Sequence, residues 1–208
     1  MDATLTMNPN QGNNQRVVQL HPEQEQERIT DMVGMIVFLG SWAIMFAALF
    51  FTFGVMRVRA SVWPPEGINP LPLMLPGINT GLIIASSIML HYANKAFAQG
   101  RIAVFRQLLW ATIVTGTVFM ALQMVVWLEL WNSGLQLSTG LYGAFFYMLT
   151  LFHGLHVLVG LGLLGWLVPQ ALQPASTPKR GIRIKLASAF WHFVDVVWVM
   201  IFVLIYVL

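Results

Sequence analysis

From about residue 32 onward the chain alternates long apolar runs with short polar breaks. Five runs stand out, at 32–56, 71–96, 102–128, 141–168 and 186–208. Each is long enough to cross about 30 Å of hydrocarbon as a helix with some tilt. None alternates with the period of a strand, and in lipid a backbone without strand patterning can satisfy its N–H and C=O groups only as a helix. The pattern therefore predicts an all-α integral membrane bundle of five transmembrane helices over 32–208. Residues 1–31 read differently. Asn, Gln, Glu and Asp dominate there, and apolar residues are too sparse to build a core. They are expected to form a polar tail, with at most a short helix within 21–31.

Composition sharpens this picture. Of 208 residues, 57% are hydrophobic and only 9% charged, against about 25% charged in a soluble domain. Basic residues exceed acidic ones by three, and no basic cluster suggests nucleic acid as a partner. The absence of Cys excludes disulfides, iron–sulfur clusters and thiolate metal sites. The polar start is no secretory signal, because no basic segment leads directly into a short apolar core. Charge then sets the orientation. Arg16 and Arg28 in the tail, Lys95, Arg101 and Arg106 in the second connection, and Lys179, Arg180, Arg183 and Lys185 in the fourth all fall on one side. The other side has only Arg57 and Arg59. Positive-inside bias puts the N-terminus in the cytoplasm and the C-terminus outside.

The Pro-rich segment at 63–70 cannot be helical and is expected to cap the outer mouth of the bundle. Trp63 and Trp131 near the outer interface, with Trp110 and Trp166 near the inner one, fit an aromatic belt. Gly154, Gly160, Gly162 and Gly165 in the fourth span, with Ser86 and Ser87 in the second, are small residues that let helices approach closely. There is no internal repeat, nor the matched pair of broken helices common in transporters.

Polar groups at membrane depth are few: Gln123 and Glu129 in the third span, His153 and His156 in the fourth, His192 and Asp195 in the fifth. His91 lies towards the inner end of the second. His192 and Asp195 are three apart and share one helical face. A carboxylate at mid-membrane costs roughly 3 kcal/mol on insertion scales, so Asp195 needs a polar neighbour or water. At ~1.5 Å per residue, His156 and Asp195 lie at similar depths, so a structural polar cluster of His153, His156, His192, Asp195, Gln123 and Glu129 is expected. Interhelical hydrogen bonding and a proton or ion site both remain open for it. Haem ligation by His153 or His156 with His192, or a metal held by two His and Asp195, is allowed by ligand type alone. No nucleophile sits with a base, and no phosphate-binding loop is present, so no catalytic residue is assigned.

Four motifs then carry a resemblance. Trp191-His192-Phe193-Val194-Asp195-Val196-Val197-Trp198 resembles the last helix of subunit III of haem–copper terminal oxidases, the cytochrome c oxidase subunit III family. Phe152-His153-Gly154-Leu155-His156-Val157, with Gly160, is similar to its preceding helix. Trp63-Pro64-Pro65-Glu66-Gly67-Ile68 followed by Pro70, and Asn79-Thr80 leading to Ser86-Ser87, resemble its outer loop and next helix. The order is that of the family, and the match runs from about Gly34 onward, in a bacterial five-helix form of a subunit that often has seven helices.

The resemblance implies a non-catalytic core subunit of a proton-pumping respiratory oxidase. Haem and copper would reside in partner subunits and none in this chain. It implies packing against oxidase subunit I, with subunit II and small subunits in the same complex, and support of subunit I stability, lipid binding and proton uptake. Bound phospholipid is expected, with head groups near Lys95, Arg101, Arg106, Lys179, Arg180, Arg183 and Lys185. Two departures stand out. Many members carry Glu where this chain has Trp42, and Gln-x-x-Glu in the third helix becomes Gln123 followed by Val126, with Glu129 further on. The readings left beside this one are subunit III of a quinol oxidase, a related component of a nitric oxide reductase, and an independent membrane transporter or cytochrome.

Overall fold

In the computed structural model the described residues are 22–61, 73–171 and 178–207. They form five long helices: α1 Pro22–Arg59, α2 Met74–Ala98, α3 Ile102–Asn132, α4 Leu141–Ala171 and α5 Pro178–Ile201. All five are long and apolar enough to cross a membrane. A short 3₁₀ turn, Leu137–Thr139, precedes α4. Phe202–Val207 continues α5 in wider, π-type winding. There is no strand among the described residues. The chain is an all-α, multi-pass membrane protein, as its apolar pattern requires.

The element boundaries follow local chemistry. Between α2 and α3 the chain reverses within three residues, and Gly100 takes φ 72° there, a left-handed conformation that side-chain-bearing residues rarely adopt. Two helices start earlier than the apolar runs suggest. The short helix expected within 21–31 is continuous with the first span, so α1 has 38 residues, about 57 Å at 1.5 Å per residue, well over the hydrocarbon thickness. Likewise α5 begins at Pro178, taking in the basic segment that hydropathy alone reads as a connection. Polar side chains do not stop a helix that carries them outside the hydrocarbon. The capping loop expected at 63–70 lies outside the described residues.

α2 and α3 pair most extensively, α3 packs on α4, and α5 contacts α1, α2 and α4. Since lipid is as apolar as a leucine core, shape rather than burial from water decides this packing. Trp191 shows how. Its ring is fully buried between Gly116 of α3 and Gly160 of α4. A Cβ on Gly116 would lie 2.7 Å from the indole, and one on Gly160 would lie 2.9 Å away. Two glycines on two helices thus form the slot for one indole. Of the small residues singled out above, Gly160 serves close approach and Gly154 meets Trp127 at ordinary contact distance, whereas Gly162 and Gly165 face open space. Outward, Ile44, Phe51, Val114, Leu155 and Val196 lie exposed, as expected where the solvent is acyl chain.

Candidate functional site

The most polar part of the bundle is the contact between α2 and α5. Asn94 Nδ2 donates to Ser188 Oγ at 2.7 Å. The Ser87 hydroxyl and His192 Nδ1 are 2.6 Å apart. Trp191 Nε1 donates to Ser86 Oγ at 3.1 Å, and Trp198 Nε1 to Thr80 Oγ1 at 3.1 Å. The two hydroxyls that accept from the indoles also donate to a backbone carbonyl of their own helix, Ser86 to Ile83 and Thr80 to Pro76. A Ser or Thr that spends its proton on its own helix keeps an oxygen lone pair aimed across the interface. Four hydroxyls and one amide thus stitch α2 to α5 from Ser188 to Trp198. The indoles of Trp191 and Trp198 are fully buried and use their N–H groups here. Trp110, Trp131 and Trp166 are exposed instead.

The candidate residues do not form one hydrogen-bonded cluster. His153, His156, Gln123 and Asp195 are all buried, while His192 is half-buried. Neither oxygen of Asp195 has a hydrogen-bond partner among the described residues. Ser87 is its polar neighbour, yet that hydroxyl is bonded to His192. His153 has both ring nitrogens without a partner among the described residues, set between Phe119 and the Trp198 ring, whose centroid is 5.2 Å away. His156 donates from Nδ1 to the Phe152 carbonyl at 2.5 Å, and a carbonyl partner fixes the proton on that nitrogen. Gln123 bonds Asn79 at 3.3 Å. Glu129 is exposed. It lies six residues beyond Gln123, about 240° around the helix at ~100° per residue, and so turns away from the interior. His91 is exposed on α2 and packs edge-on against Tyr92.

The two departures are filled by packing. The Trp42 ring stands edge-on to His156 with centroids 4.1 Å apart, and Phe46 closes on it at 5.3 Å. Val126 is fully buried on the face of α3 that carries Phe119 and Gln123. No group of three His, Cys, Asp or Glu among the described residues is placed to hold a metal ion.

The basic candidates gather at one end of the bundle, where α2 ends, α3 begins and α5 begins. Lys95, Arg101, Arg106, Arg183 and Lys185 are exposed there. Arg183 lies over the Trp166 ring, 5.1 Å from its centroid, so its cation is held against the end of α4. Lys179 and Arg180 belong to the first turn of α5.

Comparison with known proteins decides the family. The model of cytochrome c oxidase subunit III matches residues 21–208. The chain belongs to the cytochrome c oxidase subunit III family. Cytochrome c oxidase subunit 3 of Thermostichus vulcanus is 35% identical over 178 residues, covering 85% of this chain and 87% of that one. The Synechocystis protein of the same name is 35% identical over 178 residues, 85% of this chain and 75% of its own. The mouse protein is 36% identical over 179 residues, 83% of this chain and 67% of its own. Membership in this subunit III family makes the chain part of an oxidase complex with other subunits. Sequence reasoning found His192 and Asp195 but took Ser86 and Ser87 for spacers. The structure makes them hydrogen-bonding partners of Trp191 and His192. Gly116 was missed, having no motif around it to mark it.

Proposed function

We propose that this chain is the non-catalytic subunit III of a proton-pumping haem–copper oxidase, held against subunit I in a bacterial inner membrane. In this reading haem and copper belong to the partner subunits, and this chain supports the stability, lipid environment and proton uptake of subunit I. The observation that carries it is the family match across the whole bundle, joined to an interior whose hydrogen bonds run from helix to helix. The N-terminus is cytoplasmic and the C-terminus outside, supported by the basic residues collected where α2, α3 and α5 meet the inner surface. The same residues attract anionic phospholipid heads, and helix grooves below them accept the acyl chains. α1 is the least covered of the five helices, which favours it as a surface for subunit I or for ordered lipid. The deciding experiment is selective removal of this chain from the purified complex, followed by optical spectra and metal analysis of both fractions. Haem and copper should stay entirely with the remaining subunits. A redox centre leaving with this chain would overturn the reading.

A further inference from the structure

Where α5 ends and α2 begins, three buried polar groups from three elements meet around the Gln123 side chain, which neighbours both Asn79 and Tyr206. Asn79 of α2 and Gln123 of α3 make a single amide–amide bond, Asn79 Nδ2 to Gln123 Oε1 at 3.3 Å. That bond leaves Asn79 Oδ1 and Gln123 Nε2 without partners among the described residues, and the hydroxyl of Tyr206, beyond the end of α5, completes no well-formed hydrogen bond with them either. The Tyr206 hydroxyl lies next to the Gln123 side chain. All three residues are at least nine-tenths buried, with exposures of 0%, 2% and 7%. Reassigning the amide atoms does not remove the problem. Exchanging O and N in both side chains only reverses the bond, and one oxygen and one nitrogen stay bare.

What remains is a complementary set: an amide N–H donor, an amide carbonyl acceptor, and a phenol that can serve either way. We propose that these residues hold one internal water molecule, bridging α2, α3 and the last turns of α5. The water accepts from Gln123 Nε2 and from the Tyr206 hydroxyl, and donates to Asn79 Oδ1. Three partners is the usual coordination of a buried water. The winding of the chain supports this assignment. Phe202–Val207 is the one π-wound segment among the described helices, and it is this segment that carries Tyr206 inward beside Gln123. Wide turns of this kind recur at binding and functional sites. The water gives the carboxyl-terminal turns a polar tether where Phe146 and Phe202 pack their rings on Tyr206.

The test is a map of the complete membrane complex, at a resolution where ordered water is visible. A peak within hydrogen-bond distance of Asn79, Gln123 and Tyr206 together is the expected result. An empty site, or direct bonds among the three side chains that satisfy them all, would overturn the proposal, and the unaltered protein suffices for that decision. Variants add a second readout. In Tyr206→Phe the peak should weaken but persist on its two amide partners. In the double variant Asn79→Leu with Gln123→Met it should vanish. A peak unchanged in the double variant would mean that other groups hold it, and would also overturn the assignment.

Discussion

Trp191 meets a glycine on each of two neighbouring helices, and that slot sets the tolerance of the bundle at the level of single atoms. Gly116→Ala and Gly160→Ala each place a methyl carbon under 3 Å from the indole. A ring walled in on both sides cannot move away, and overpacking of this kind costs typically 1–3 kcal/mol. Both variants should lower the thermal midpoint for retention of this chain in its complex, while Gly162→Ala, with open space around it, should not. Melting profiles of the three complexes check this. Asp195 poses a different question, because its oxygens lack hydrogen-bond partners among the described residues. Asp195→Asn keeps the shape and should leave subunit retention unchanged. Asp195→Ala opens a void at a buried position and should lower retention more than it alters electron transfer, measured side by side on the same preparations. Such residues were only partly legible in the sequence. The i,i+3 spacing marked His192 and Asp195 as sharing a face, but a helix-by-helix reading has no information on which hydroxyl lies opposite. The bond therefore goes to Ser87, and Glu129, grouped with the interior on residue type, faces outward.

At the scale of the helices, the α2–α5 contact behaves as a row of separate hydrogen bonds, two of them closed by a hydroxyl that also serves its own helix. Interhelical bonds in membranes average about 0.6 kcal/mol. Thr80→Val, Ser86→Ala and Ser87→Ala are therefore each expected to weaken the pairing by about that amount. Removing Ser86 and Thr80 together should add, since their partners Trp191 and Trp198 lie two turns apart. The losses are measurable as shifts in the detergent concentration at which the chain dissociates. A shift several times larger for any one variant would show that the bonds act as a single unit. The helices themselves were legible in advance because a 30 Å apolar solvent demands long unbroken runs. Their ends were less so. The starts of α1 and α5 lie in polar sequence, where helix propensity and not hydropathy decides.

For the molecule as a whole, the question is what an oxidase gains from a subunit that we propose carries no redox centre. One part of the answer lies at the end of the bundle that gathers Lys95, Arg101, Arg106, Arg183 and Lys185. Each juxtamembrane cation is worth about 1 kcal/mol towards an anionic lipid surface. Reversing Arg101, Arg106 and Lys185 to Glu should therefore reduce the anionic phospholipid that survives purification, whereas Arg57→Glu at the opposite end should not. Lipid analysis of the two complexes separates specific retention from a bare orientation signal, which would leave the lipid content unchanged. The consequence for turnover follows from the same reasoning. If the bundle acts on subunit I only through packing and lipid, its removal should spare the first turnovers and shorten the active lifetime. The charge-reversed complex should fall between the two, its decay quickened in proportion to the lipid it has lost. Oxygen consumption followed over time, for the intact, charge-reversed and stripped complexes at equal haem content, measures both quantities. An initial rate that collapses on stripping, with no later decay, would place the chain in the reaction itself.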